Sequence, residues 1–326
     1  MSRTLQVPKL GIYPMYPALP PWLAFTAGKV WHVKPYSGAD TNSGKQPHTA
    51  FKSLAAALAE ATANRNDIVL MYSEENDGTL TSDYQATMLD WNKNGVHLIG
   101  VNSGVSISPR SRISAISTWT SANPAMKVSA SNCYFANLQI IMDAVDTTPL
   151  GALSVTGSRC RFDNCHVYGI VYATNDIVGA YSLLLSGAEE IEFNGCQFGS
   201  DRIAKGAQAN SVLKFASVAK NIVFRDCILR LVSTSATNHV FVRAPAGSLD
   251  GSVAFVKGCQ GINSKHRNVG AAELTYAMVV ASNAGGDIFI SPDSSFQAAD
   301  VNSSNSGNVY GAAAATSGFA VPLTTS

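Results

Sequence analysis

Ile191-Glu-Phe-Asn-Gly-Cys196 returns 31 residues later as Ile222-Val-Phe-Arg-Asp-Cys227. The same frame fits Cys133-Tyr-Phe-Ala-Asn-Leu138, Cys160-Arg-Phe-Asp-Asn-Cys165 and Ala254-Phe-Val-Lys-Gly-Cys259. The third position reads Phe135, Phe162, Phe193, Phe224 and then Val256. The sixth reads Leu138, Cys165, Cys196, Cys227 and Cys259, in steps of 27, 31, 31 and 32 residues. Two residues on stand Ile140, Val167, Phe198 and Leu229. A recurrence at this period marks a repeat architecture.

The fifth position holds Asn137, Asn164, Gly195, Asp226 and Gly258. These residue types enter left-handed backbone conformations most readily. Each repeat therefore reads strand, corner, strand. A further alternation precedes it: Met126-x-Val128, Leu153-x-Val155, Leu183-x-Leu185 and Leu213-x-Phe215. Three short strands per repeat leave no room for helical crossovers. They predict a winding coil, each turn about 4.8 Å above the last, with like residues stacked on like. The expected fold is all-β: a single-stack right-handed parallel β-helix over residues 30–300.

Weaker coils are expected in 68–110, at Val96-His-Leu-Ile99 and Val105-x-Ile107, and a last one in 274–296, at Met278-Val-Val280 and Ile288-Phe-Ile290. Before them, Val30-Trp-His-Val33 alternates as a first strand. Phe51 to Ala63 reads as a capping α-helix, with Leu54, Leu58 and Ala61 on one face. Residues 1–29 form an expected extended arm. Five prolines punctuate it, yet it carries Leu5, Leu10, Ile12, Tyr13, Tyr16, Trp22, Leu23 and Phe25. A segment this apolar is expected to lie against its own domain or a neighbouring subunit. Residues 301–326 read as a low-complexity tail.

Charged residues make up 14% of the 326, against about a quarter in an average domain, and net charge is +1. That balance steers the chain toward neither nucleic acid nor a membrane surface. Met1–Pro8 contains no apolar core of signal-peptide length, and no apolar run spans a bilayer. Folding in a cytoplasm is expected, with the six cysteines as thiols. A file of cysteines along an axis is not a zinc tetrahedron, so these read as small buried apolar groups. His32, His48, His97, His166, His239 and His266 lack metal-ligand spacing. Asp40 and Asn42 mimic a calcium loop, but Phe51 stands where its glutamate belongs. No metal or cofactor is expected.

Glycoside cleavage would need paired carboxyls. Glu189, Glu190, Glu192 and Asp201 are the densest cluster, with Asp143 and Asp146 in a loop. The 31-residue step puts Glu190 over Arg159 and Glu192 over Arg161, an opposite-charge ladder on one outward face. A ladder and a catalytic pair are the two readings.

Lys29-Val-Trp-His-Val-Lys-Pro-Tyr-Ser-Gly-Ala-Asp-Thr-Asn-Ser-Gly44, with Pro47, Phe51-Lys-Ser-Leu54 and Ala63-Asn-Arg-Asn-Asp-Ile-Val69, resembles the opening of pectate-lyase-like β-helix proteins. More narrowly, it is similar to phage-encoded β-helix proteins found among virion structural genes. The likeness covers about residues 29–170. It implies a particle surface protein, often trimeric. The clustered Asp and lyase Arg or Lys of the polysaccharide-cleaving members have no match here. The expected role is a non-enzymatic virion protein, a capsid decoration or cement protein anchored by its arm. Its partners would be the major capsid protein and copies of itself. A tailspike that recognises a host glycan, or a polysaccharide lyase or hydrolase, is the alternative.

Overall fold

The computed structural model describes residues 28–76, 79–102, 111–264, 272–302 and 309–310. The arm residues Leu5 to Phe25, the Val105-x-Ile107 segment and most of the 301–326 tail lie outside them. The chain winds as a right-handed parallel β-helix. Sheet A has ten strands, from Val30–Val33 to Val309–Tyr310. Sheet B has eight, from Asp83–Gln85 to Ser295–Phe296, and sheet C eight, from Leu89–Trp91 to Asp300–Asn302. A small antiparallel hairpin, Glu74–Asn76 with Thr79–Thr81, stands apart from the stack. Strand pairing continues past residue 300, because Val309–Tyr310 adds to Asp287–Ile290.

One coil shows the plan. Glu192–Asn194 belongs to sheet A, Gln197–Gly199 to sheet B and Asn210–Ala216 to sheet C, and Ile222–Arg225 then begins the next turn. Alternation sends Phe193, Phe198, Leu213 and Phe215 inward, all fully buried. Phe193 pairs with Phe162 below and Phe224 above. The rings of Phe135, Phe162, Phe193, Phe224 and Phe255 stack face to face at 4.6, 4.8, 5.0 and 4.9 Å. Those distances equal the strand spacing of a sheet.

The expected column member Val256 is displaced by Phe255, which pairs with Phe224. The cause is one extra residue in the turn. Earlier A–B corners use a single left-handed residue: Asn137, Asn164, Gly195 or Asp226, at φ 56°, 52°, 59° and 49°. The fifth uses two, Lys257 at 58° and Gly258 at 77°. The added residue restores Cys259 to its column and accounts for the longer last step.

The six cysteines are free and buried. Each thiol reaches a carbonyl in the coil beneath. Cys196 Sγ lies 3.3 Å from the Phe162 oxygen, Cys227 3.5 Å from Phe193 and Cys259 3.3 Å from Phe224. Cys133 and Cys160 do the same at another corner, toward Lys93 and Ala130. Cysteine thus fills a small apolar slot and satisfies a corner oxygen that a valine would leave to the ladder alone. Burial pushes the Cys165 and Cys227 thiols well above the ordinary range.

The cap helix spans Leu54–Glu60, shorter than the expected 51–63. Phe51 is drawn out of it by a parallel bridge to Val33, with its ring 6.1 Å from Trp31. The Ser53 hydroxyl accepts from the Ala56 amide and caps the first turn, and Ala61 turns to extended backbone. Leu54, Ala57 and Leu58 close the open end of the core. Asp40 serves its loop as a turn residue, accepting from the Lys52 and Ser53 amides and the Ser53 hydroxyl.

Cys196→Ala removes the thiol bond and leaves a small void. A loss of about 1–3 kcal/mol is expected in urea unfolding, with Cys196→Ser less costly because it keeps a donor. In the native state none of the six thiols should react with a disulfide reagent within minutes, and all should react once the chain is unfolded.

Candidate functional site

The outward face of sheet A carries the expected charge ladder. Arg159 meets Glu190 at 2.7 Å, and Glu192 is held between Arg161 at 3.6 Å and Arg225 at 2.9 Å. Arg161 also binds Asp163, which accepts from the Tyr134 hydroxyl at 2.8 Å. Arg159 and Glu190 occupy left-handed corner positions, at φ 55° and 57°. They belong to a second corner column with Asn132 and Asn221, which the residue types did not advertise. Three of the other carboxylates singled out in the sequence are also engaged through their side chains. Asp201 pairs with Arg230 at 3.4 Å, and Asp143 accepts from the Tyr172 hydroxyl. Asp146 accepts from the Thr148 amide, and its Thr148 contacts hold it below the usual carboxylate range. Glu189 bridges by its backbone to Ser158 below and Lys220 above.

Three further buried charged groups depart from ordinary chemistry, and the sequence pattern singled out none of them. Asp67, fully buried, accepts from the Lys29 and Thr62 amides, the Trp31 indole and the Arg65 guanidinium. Burial alone would raise its carboxyl, but those bonds hold it well below the usual range. It knots the chain's entry, the first strand and the turn after the cap helix. Asp83 lies beneath the cap helix and accepts from the Leu54 amide and the Gln85 side chain. Burial pushes it up to about 7, with the Asp40 charge adding to the effect.

Lys205 is the third. The A–B corners are tight, but the chain between sheets B and C swings out in long loops, at 142–150, 169–180, 200–209 and 232–238. Side chains stitch these loops together from coil to coil. Asn175 donates to the Ala144 and Asp146 oxygens, Asp176 accepts from the Gly206 and Ala207 amides, and Asn238 donates to the Gly206 oxygen. Lys205 is enclosed among them at 3% exposure. Burial brings its ammonium down to about 8, with Asp176 and Asp201 opposing the shift. His239 bonds Asn210 and is kept neutral by burial and by the nearby Lys205 and Arg243. His166, on the outer face of sheet B, is brought to about 4, chiefly by burial.

A glycosidase pair needs one carboxyl raised and open to a sugar. Asp83 is raised but only 5% exposed beneath the cap helix. The ladder carboxylates are open but tied to arginines. Lys205 is displaced but enclosed. Among the described residues no group of three or more His, Cys, Asp or Glu is placed to hold a metal ion. The arm residues Leu5, Leu10, Ile12, Tyr13, Tyr16, Trp22, Leu23 and Phe25, expected to dock on a partner, lie outside the described set. The structural ladder from Phe135 and Leu138 to Phe224 and Cys259 is brought together as one internal file.

No family model and no curated protein matches the chain. Among solved structures it is similar to pectate lyase Pel9A, with a TM-score of 0.56 and 12% identity over 80% of this chain and 68% of that one. Pectin methylesterase PemA from Erwinia chrysanthemi gives 0.51 and 17%, over 81% and 78%. ORF18 of Geobacillus virus E2 gives 0.52 and 13%, over 79% of this chain and 47% of that protein, so the chain spans about half its length. At these identities the likeness shows the fold, a parallel β-helix of the pectate-lyase and pectin-methylesterase type.

Two outcomes follow from the charges. Both Arg159 and Glu190 are about half exposed, so a double-mutant cycle through Arg159→Ala and Glu190→Ala should return a coupling of only about 0.2–1 kcal/mol, shrinking with added salt. Asp83 acts oppositely to an ion-paired acid. Its folded-state value lies above its unfolded one, so its contribution is present below pH about 4 and lost as pH rises through 7. Asp83→Asn, which keeps the neutral shape, should therefore gain on the wild type across that window by on the order of 3 kcal/mol. Chemical unfolding of both proteins between pH 4 and 8 measures that difference; parallel curves would show that burial does not hold the acid neutral.

Proposed function

We propose that this chain is a structural β-helix protein of a bacteriophage particle and carries no polysaccharide-cleaving chemistry of its own. The observation that supports this best is the use of its outward carboxylates. Glu190, Glu192 and Asp201 each sit on an arginine of a neighbouring coil or strand, where they strengthen stacking rather than await a substrate. The likeness to ORF18 of Geobacillus virus E2 favours a phage setting. In its most specific form the reading is a capsid decoration protein. It would contact the major capsid protein and copies of itself, as a homotrimer, and reside in the virion. A charge-poor, rigid rod suits that work. The solenoid lengthens by whole coils without needing a larger core.

A second reading, host-glycan recognition, has one observation in its favour. Phe289 and Tyr310 stack at 5.2 Å on the outer face of sheet A, 43% and 46% exposed. Aromatic faces bared in this way suit sugar rings as well as a protein neighbour.

Quantitative mass spectrometry of purified particles distinguishes the roles. A decoration protein should be present in hundreds of copies, in fixed ratio to the shell subunit, whereas a tail-borne reader should number a handful. Incubation with host capsular and lipopolysaccharide glycans should leave their chain length unchanged. Shortened glycan would overturn the non-enzymatic reading.

A further inference from the structure

Two cysteines stand apart from the four that line the A–B corners. Cys133 and Cys160 each enter sheet A just after a left-handed corner residue, Asn132 at φ 58° and Arg159 at φ 55°. Tyr134 pairs with Arg161, and the Arg161 amide donates to the Cys133 oxygen at 3.0 Å, so the two cysteines lie side by side on successive coils. Their thiols reach back to the Lys93 and Ala130 oxygens at 3.6 and 3.4 Å, and the Cys160 thiol also donates to the Cys133 sulfur. Neighbouring parallel strands lie about 4.8 Å apart, inside the roughly 4.4–6.8 Å Cα range of disulfides. Joining the two sulfurs therefore calls for side-chain rotation rather than movement of the strands.

Position and reactivity also set this pair apart. Asn132 and Arg159 are exposed, so the corner that carries these thiols lies at the surface. Cys165, Cys196, Cys227 and Cys259 are instead at most 1% exposed and belong to the file beside the aromatic column. Cys133 and Cys160 lie just under their corner, which excludes a bulky thiol reagent but suits an oxidant as small as hydrogen peroxide. The hydrogen bond from Cys160 holds the Cys133 thiol below its ordinary value, and the thiolate is the reactive form. We propose that Cys133 and Cys160 form a paired oxidation site, at which a small hydroperoxide joins the two sulfurs in a disulfide between successive coils.

The chemistry needs no other reactant. The Cys133 thiolate attacks one peroxide oxygen, the O–O bond breaks, and a sulfenic acid forms. The departing hydroxide takes up the proton that Cys133 released and becomes water. The Cys160 sulfur, already directed at Cys133, then displaces the sulfenic oxygen, which leaves as a second water with the Cys160 proton. Two thiols are oxidised and one peroxide is reduced. The new bond closes a ring from residue 133 to residue 160 and restricts the unfolded chain, while the strands it joins are already paired. The inference does not rest on the particle role.

Oxidation of the full, folded chain tests this. The protein is exposed to excess hydrogen peroxide, the peroxide is removed with catalase, and the chain is unfolded in N-ethylmaleimide. Intact mass should then show four of the six thiols alkylated, and all six when a reductant precedes the alkylation. Peptide mapping should find the missing two as Cys133 linked to Cys160 of the same chain. In Cys160→Ser the Cys133 sulfur lacks its resolving partner and should instead gain oxygen, with no link. If that variant does not fold, the wild-type map alone decides. Six alkylated thiols after peroxide, a link among Cys165, Cys196, Cys227 and Cys259, a link between two copies, or an unoxidised Cys133 in folded Cys160→Ser would each overturn the proposal.

Discussion

Everything in this molecule depends on coils being stacked in strict vertical register. A parallel ladder repeats every 4.8 Å or so, close to the thickness over which two aromatic rings lie comfortably face to face. Phe135, Phe162, Phe193, Phe224 and Phe255 turn that coincidence into a continuous column, with Phe198 set edge-on against Phe193 and Phe224. A one-residue slip would turn these rings to the solvent and bring Arg161 and Glu192 into the core. Register is therefore enforced by burial on one side and by charge on the other.

The corners make such register achievable. A single left-handed residue turns the chain from sheet A to sheet B with no loop, and Asn, Asp and Gly bear that conformation at least cost. The neighbouring thiol bonds the carbonyl of the coil below, linking successive corners. Where the chain carries an additional residue, at Lys257 and Gly258, the bend absorbs it and both columns resume. Length variation is thus confined to places where it does not disturb stacking, chiefly the loops between sheets B and C.

Those loops concentrate the unusual chemistry. Asn175, Asp176 and Asn238 tie loop to loop, and Lys205 is enclosed as a result. Buried charge here is an architectural consequence of stacking. The contrast with the sheet A face is physical: the ladder charges stay hydrated and contribute little each, while Asp67 is removed from water and depends on its fixed donors, and Lys205 is enclosed with the Asp176 and Asp201 charges nearby. Among the described residues the carboxyl shifted clearly upward, Asp83, is buried beneath the cap helix.

The period, the inward aromatic and thiol columns, the left-handed A–B corners and the Arg159–Glu190 and Arg161–Glu192 pairs were all legible in the sequence. Each depends on spacing that repeats once per coil, so position along the chain translates directly into position in space. What the sequence did not disclose is what fails to repeat. Phe255 in place of Val256, the withdrawal of Phe51 from the cap helix, the knot at Asp67, the upward-shifted Asp83 and the enclosed Lys205 arise from particular contacts between segments well apart in the chain, such as Val33 with Phe51, Leu54 with Asp83 and Lys29 with Asp67. Periodicity carries no information about such contacts. They exist only once the coils have stacked and brought those side chains out of water together, and so the tertiary structure alone decided them.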